Sequence, residues 1–128
     1  MQAEHRVTGA VLVIDDDPDM RTVLRDFLER AGYRVLEAAN GADGVFLVQC
    51  EEVGVVILDK EMPGIDGLDV LSILARRFPS LHVILITAFG GPHVAEEARR
   101  RGALLYVEKP FRVATIVQTV QRLLQRAH

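Results

Sequence analysis

Five short apolar blocks alternate with five amphipathic ones along the chain, and the two kinds carry different periods. The apolar blocks are AVLVID (10–15), YRVLEA (33–38), VVILD (55–59), LHVILIT (81–87) and LLYVE (104–108). The first, third and fourth are almost continuously hydrophobic, as central parallel strands covered on both faces must be. The second carries Arg34 and Glu37 and suits a sheet edge. Between the blocks, apolar residues recur at helical spacing. Residues 18–31 put Val23, Leu24, Phe27, Leu28 and Ala31 on one expected core stripe, which Gly32 ends. A weaker helix is predicted over 41–51. Residues 66–77 align Leu68, Leu71 and Leu74, with Arg76 and Arg77 in the last turn and Pro79 just beyond. Helices over 92–101 and 111–126 complete the set. The last one carries Val113, Ile116, Val117, Val120, Leu123 and Leu124, a wider apolar set than one buried stripe needs.

Five βα units in series predict one α/β domain with a parallel sheet, right-handed crossovers and helices on both faces. The domain is expected over residues 10–126, after an N-terminal tail at 1–9. A length of 128 residues suffices for one core. The net charge of −3 gives no general footprint for nucleic acid or an anionic membrane surface. The one dense basic run, Arg99-Arg100-Arg101, follows Glu96 and Glu97. Helical spacing is expected to pair Glu96 with Arg100 and Glu97 with Arg101 on a solvated face. A single cysteine, Cys50, excludes an intramolecular disulfide and reads as a small half-buried residue in a reducing cytoplasm, the expected location. The apolar run at 11–14 is too short for a secretion signal, and no stretch is long enough to cross a bilayer.

In a doubly wound sheet, ligands gather outside the carboxyl ends of the strands, at the switch point. Those ends carry the chemistry here. The first strand runs into Asp15, Asp16 and Asp17, the third into Asp59, the fourth into Thr87, and the fifth into Glu108, Lys109 and Pro110. Asp17 before Pro18 is a helix N-cap, which leaves Asp15 and Asp16 unexplained. Asp59, Thr87 and Lys109 each have an ordinary structural reading as turn cap, loop partner and surface lysine. Their joint placement at one rim is what singles them out. Clustered carboxylates with no histidine or cysteine nearby suit Mg²⁺ and not zinc. A carboxylate neutralised by such a cation and a lysine is a nucleophile suited to phosphoryl transfer.

The segments VIDDDP, ILDKEMPGIDG, ILITA and YVEKPF, in this order, resemble the receiver domains of bacterial two-component response regulators over about residues 11–124. The resemblance implies a flavodoxin-like, doubly wound five-stranded sheet of order 2-1-3-4-5 with five helices. It implies that Asp59 accepts a phosphoryl group from a histidine kinase or phosphotransfer protein. Asp16 would hold Mg²⁺ directly and Asp15 through water, with Asp59 and the Glu61 main-chain carbonyl as further ligands. Lys109 would bridge the phosphoryl group, preceding a cis bond to Pro110. Thr87 would bond the phosphoryl oxygens, and Tyr106 would be the aromatic partner that turns inward. The regulated face would comprise the fourth helix, fifth strand and last helix, leaving room for a phosphorylation-dependent homodimer or a downstream protein. Such a domain is no enzyme beyond promoting its own phosphorylation and dephosphorylation. Lys60 departs from the family, which more often has an apolar residue there, and acidic Glu61 follows; both are expected to tune the phosphoryl lifetime. Two other readings compete: a receiver-like module that binds partners without phosphorylation, and a haloacid-dehalogenase-like phosphatase. The second would use Asp15 and Asp17 but needs acidic ligands after the lysine, and no Asp or Glu follows Lys109.

Overall fold

The computed structural model describes residues 9–125, so the expected tail, apart from Gly9, lies outside the described residues. The elements follow the alternation of the sequence: β1 (Ala10–Ile14), α1 (Pro18–Arg30), β2 (Val35–Ala38), α2 (Gly41–Cys50), β3 (Val53–Asp59), α3 (Gly67–Arg77), β4 (His82–Thr87), α4 (Pro92–Arg101), β5 (Leu105–Glu108) and α5 (Val113–Gln125). All strand pairs are parallel, in the order β2-β1-β3-β4-β5. β2, with its charged residue, lies at an edge as expected.

Successive residues of a strand point to opposite faces, so the continuous apolar strands feed two cores. Val11, Val13, Val55, Ile57, Ile84 and Ile86 meet α1 and α5 through Leu24, Leu28, Ile116, Val120 and Leu124. Leu12, Ile14, Val56, Leu58, Val83 and Leu85 meet α2, α3 and α4 through Val48, Val70, Leu71, Leu74 and Ala98. The wide apolar set on α5 is a core face: Ile116, Val120 and Leu124 are buried, and Val113, Val117 and Leu123 are half-buried beside them.

Three expectations need correction. Val23 and Phe27 are 41% and 43% exposed, because the sheet covers the Leu24–Leu28 row of α1 and not its neighbour. Arg30 instead lies over the Phe27 ring, 5.5 Å from its centroid. Cys50 is exposed at the last turn of α2. On α4, Glu96 pairs with Arg99, one residue short of Arg100, at 2.5 Å. Glu97 takes both Arg100 and Arg101, and Arg101 also reaches Asp69 on α3 at 2.9 Å, so the basic run ties two helices together.

The chain leaving β3 passes close to the start of α3, main chain against main chain. The Gly67 amide donates to the Lys60 carbonyl at 2.9 Å. A Cβ at Gly67 would lie 2.5 Å from the Lys60 Cα and 2.6 Å from the Asp59 carbonyl oxygen, both main-chain atoms with little freedom to yield. Gly67→Ala is therefore expected to destabilise the fold by about 2 kcal/mol, in the range of overpacked sites. Urea denaturation measures this, and an unchanged midpoint would show that the loop can yield after all.

Candidate functional site at the carboxyl ends of the strands

Register decides which side chains meet. Ile14 is paired with Leu58, so Asp15 and Asp59, each one residue further on, emerge at one level on adjacent strands. Asp59 is paired with Ile86, which puts Thr87 one step beyond on the next strand. Thr87 is paired with Glu108, and the Lys109 amide donates to the Thr87 carbonyl at 2.8 Å. The Lys109–Pro110 bond is cis.

Asp15, Asp16 and Asp59 each offer an oxygen within 4.8 Å of the others. Asp15 and Asp59 are only 3% and 4% exposed, while Asp16 is open to solvent. Lys109 Nζ stands 3.4 Å from Asp59 Oδ1, an oxygen that has no hydrogen-bond partner. Asp15 is fixed more completely. Its Oδ1 accepts from the Asp17 amide at 2.9 Å, its own amide donates to the Ala38 carbonyl, and its carbonyl accepts from Arg21 at 2.6 Å. Asp17 caps α1 by accepting from the Asp19 amide at 2.9 Å, which separates it from the acid pair as expected.

Thr87, Glu61 and Tyr106 hold positions that the sequence did not specify. Thr87 is fully buried and donates to Glu61 Oε2 at 2.5 Å, while the Ala88 amide donates to Glu61 Oε1 at 2.9 Å. Glu61 was expected to offer its main-chain carbonyl and, with Lys60, to tune the phosphoryl lifetime; that its carboxylate is the nearest hydrogen-bond partner of Thr87 was not foreseen. Tyr106 is half-buried. Its hydroxyl donates to Glu108 Oε2 at 2.9 Å and accepts from the Gly91 amide at 3.0 Å. Arg21 was also missed. Its Nε pairs with Glu37 at 3.0 Å, and Arg25 joins the same carboxylate at 2.6 Å, so α1, edge strand β2 and the Asp15 carbonyl form one network. The arginine bonds, Arg25 first, hold Glu37 below the usual carboxylate range. The only advance signal was charge: Arg21 on the first turns of α1, and an acid on an edge strand.

Comparison with known proteins agrees with this geometry. The profile of the response regulator receiver domain matches residues 11–121. The chain belongs to this family. It is 42% identical over 118 residues to the C4-dicarboxylate transport transcriptional regulatory protein DctD of Pseudomonas aeruginosa, covering 90% of this chain and 25% of that protein. It is 32% identical over 114 residues to the sporulation initiation phosphotransferase F of Bacillus subtilis, covering 89% of this chain and 92% of that one. Among solved structures, the receiver domain of the Francisella response regulator 1452 superposes with a TM-score of 0.87 at 27% identity, covering 94% of this chain and all of that one. The chain thus spans a quarter of one relative and nearly the whole of another. As a receiver it is a phosphorylation-switched signalling module and not a classical enzyme. Among the described residues no helix is long and apolar enough to cross a membrane.

The electrostatics of the rim have a measurable consequence. Burial, reinforced by the Asp15 charge, pushes Asp59 up to about 6 against the pull of Lys109. Burial also raises Asp15, against the Asp17 amide. Asp59 therefore binds its proton more tightly folded than unfolded. Its charge destabilises the metal-free fold fully above about pH 6, and not at all below the ordinary carboxylate range. Asp59→Asn is expected to raise the melting temperature in chelator at pH 7.5 by several degrees, corresponding to roughly 3 kcal/mol at most. At pH 3.5 the gain should vanish. Melting curves at both pH values check this; a gain independent of pH contradicts it.

Proposed function

We propose that Asp59 is the phosphoacceptor, receiving a phosphoryl group from the phosphohistidine of a histidine kinase or phosphotransfer protein. The observation that carries this reading is the buried Asp59 oxygen without a hydrogen-bond partner, 3.4 Å from Lys109 Nζ and within 4.8 Å of the other two acids. An anion so placed is poorly solvated and points at a cation, which suits a nucleophile held for an in-line attack. The Asp59 oxygen forms the bond to phosphorus, the phosphorus–nitrogen bond breaks, and the imidazole leaves with the electron pair. Lys109 neutralises the acyl phosphate that results.

The residues present fit Mg²⁺. The oxygens of Asp15, Asp16 and Asp59 repel one another at this separation and form a hard, all-oxygen donor set. Asp16 would hold the ion directly and Asp15 through water, with Asp59 and the Glu61 carbonyl as the other protein ligands. When bound, the ion supplies positive charge to the transferring phosphoryl oxygens. The same groups would promote phosphorylation and dephosphorylation of this chain alone. The donor has a route: an apolar groove of about 480 Å³ beside Lys109, lined by Met20, Val23, Pro110, Phe111 and Val113. Exposed Val23 belongs to this groove. The downstream partner, an output domain, another protein or a second copy of the chain, would read the face of α4, β5 and α5; Phe89 in the turn before α4 and Leu104 just before β5 are exposed. A cytoplasmic location follows from partners of this kind.

Incubation with a small phosphodonor and Mg²⁺ should add one alkali-labile phosphoryl group. Asp59→Asn and a chelator should each abolish it. Labelling that survives either treatment would refute the acceptor, and a wild type that never labels would favour the phosphorylation-independent module.

The route out of the site follows from the charge change. The acyl phosphate carries about −2 in place of −1 and adds acceptor oxygens, for which Thr87 is a neighbouring donor. Drawing the Thr87 hydroxyl toward it would open space behind β4 for the Tyr106 ring. Thr87→Ala should still accept phosphate at Asp59 yet lose the accompanying change in Tyr106 fluorescence. The readout is simple because the chain has no tryptophan and its other tyrosine is Tyr33. An unchanged response in Thr87→Ala would put the coupling elsewhere.

A further inference from the structure

We infer that the Glu61 side chain is an internal stand-in for the phosphoryl group: it occupies the donors at the end of β4 that the phosphorylated site needs, and phosphorylation has to expel it. The inference rests on Asp59 being the acceptor and concerns what the resting site contains.

The geometry is specific. One carboxylate takes both the Thr87 hydroxyl, at 2.5 Å, and the Ala88 amide, at 2.9 Å. A hydroxyl and an amide each have one proton to give. Thr87 Oγ1 also accepts from the Phe89 amide at 3.0 Å, so the resting threonine is committed on its donor side and engaged on its acceptor side. Occupation by Glu61 and by a phosphoryl oxygen therefore exclude each other at these protons. Both occupants are anions presenting two or more oxygens, so the pocket that suits one suits the other.

The chain is built to deliver this carboxylate. The Lys60 amide donates to the Ile86 carbonyl at 2.8 Å, which extends the β3–β4 pairing and sets Glu61 beside Thr87. The Lys60 ammonium lies 3.8 Å from Glu61 Oε2 and 3.9 Å from Asp66 Oδ1, next to the N-cap of α3. A partly buried glutamate near Asp59 needs such a counter-charge. Lys60, which departs from the family pattern, and the Glu61 that follows it thus form one local device: the lysine steadies the glutamate, and the glutamate holds the threonine. It follows that the resting state is latched, and that the phosphoryl form competes with an intramolecular anion tethered two residues from the acceptor.

The test uses the full chain, saturating Mg²⁺ and beryllofluoride as the phosphoryl mimic. Glu61→Ala removes the anion; Glu61→Asp keeps the charge on a side chain one carbon shorter, unable to span both donors. In the resting wild type the Ala88 amide proton should be shifted downfield and protected from exchange, and both features should be lost in both variants. Beryllofluoride affinity should rise about tenfold in Glu61→Ala, equivalent to 1.4 kcal/mol, and by a clear fraction of that in Glu61→Asp. Equal melting temperatures across the set exclude a folding defect. An unprotected Ala88 amide in the wild type, or a gain confined to Glu61→Ala, would overturn the latch and leave only charge repulsion. If the wild type takes up beryllofluoride yet neither variant differs from it, the latch alone fails. If the wild type takes up none, the acceptor reading fails first and the latch with it.

Discussion

Mutual repulsion among the Asp15, Asp16 and Asp59 carboxylates is the constraint around which the rest of this molecule is arranged. With oxygens within 4.8 Å, each pair repels by roughly 3 to 4 kcal/mol at an effective dielectric near 20. Two of the three are almost fully buried, so water cannot relieve them. A flexible loop would simply let them drift apart. Here they sit on the ends of β1 and β3, two central strands buried on both faces, with α1 and α5 on one side and α2 and α3 on the other. The Asp15 main chain is held from both directions, by the Ala38 carbonyl and by Arg21. The two cores thus maintain an unfavourable charge arrangement that Lys109 offsets in part and that a further cation, or a proton on Asp59, relieves.

Much of this was legible in the sequence, and the reason is periodicity. Strands buried on both faces must be continuous runs of Val, Ile and Leu, so VLVI, VVIL and VILI located β1, β3 and β4, and their last residues located the rim. The direction of a parallel sheet then forces Asp15, Asp59, Thr87 and Lys109 to one side. What a one-dimensional pattern cannot give is azimuth. On α1 the rows Leu24–Leu28 and Val23–Phe27 both repeat at four residues, and only tertiary packing chooses the buried one. The same limit applies to Glu96, whose carboxylate reaches Arg99 where an equally allowed partner lay one residue further.

Side-chain partners across strands were less legible still. The Glu61 carboxylate lies 26 positions before the hydroxyl it accepts from, and nothing in either neighbourhood announces the pair. The same holds for Arg21 and Glu37, 16 positions apart, and for Arg101 and Asp69, 32 apart. Each contact closes a gap between elements that the strand order brings together. Residue types at strand ends could therefore be assigned a chemistry, but their hydrogen-bond partners had to wait for the register.

Those partners also determine where a change at Asp59 can be felt. Glu61 connects the end of β3 to Thr87 and Ala88 at the end of β4. The next step lies one strand over. The N-cap of α4 is Gly91, which has no side chain to cap the helix, and the Gly91 amide donates to Tyr106 and Glu108 of β5. The tyrosine hydroxyl fits there because position 90 is glycine; a Cβ at Gly90 would lie 1.8 Å from it. The start of α4 is thus fastened to β5 by two side chains, one of them an aromatic ring that itself depends on the space around β4. A helix capped by its own serine or aspartate would be indifferent to the neighbouring strand. This one is not: an inward turn of the Tyr106 ring would remove one of the two ties on the Gly91 amide and leave Glu108 as the other.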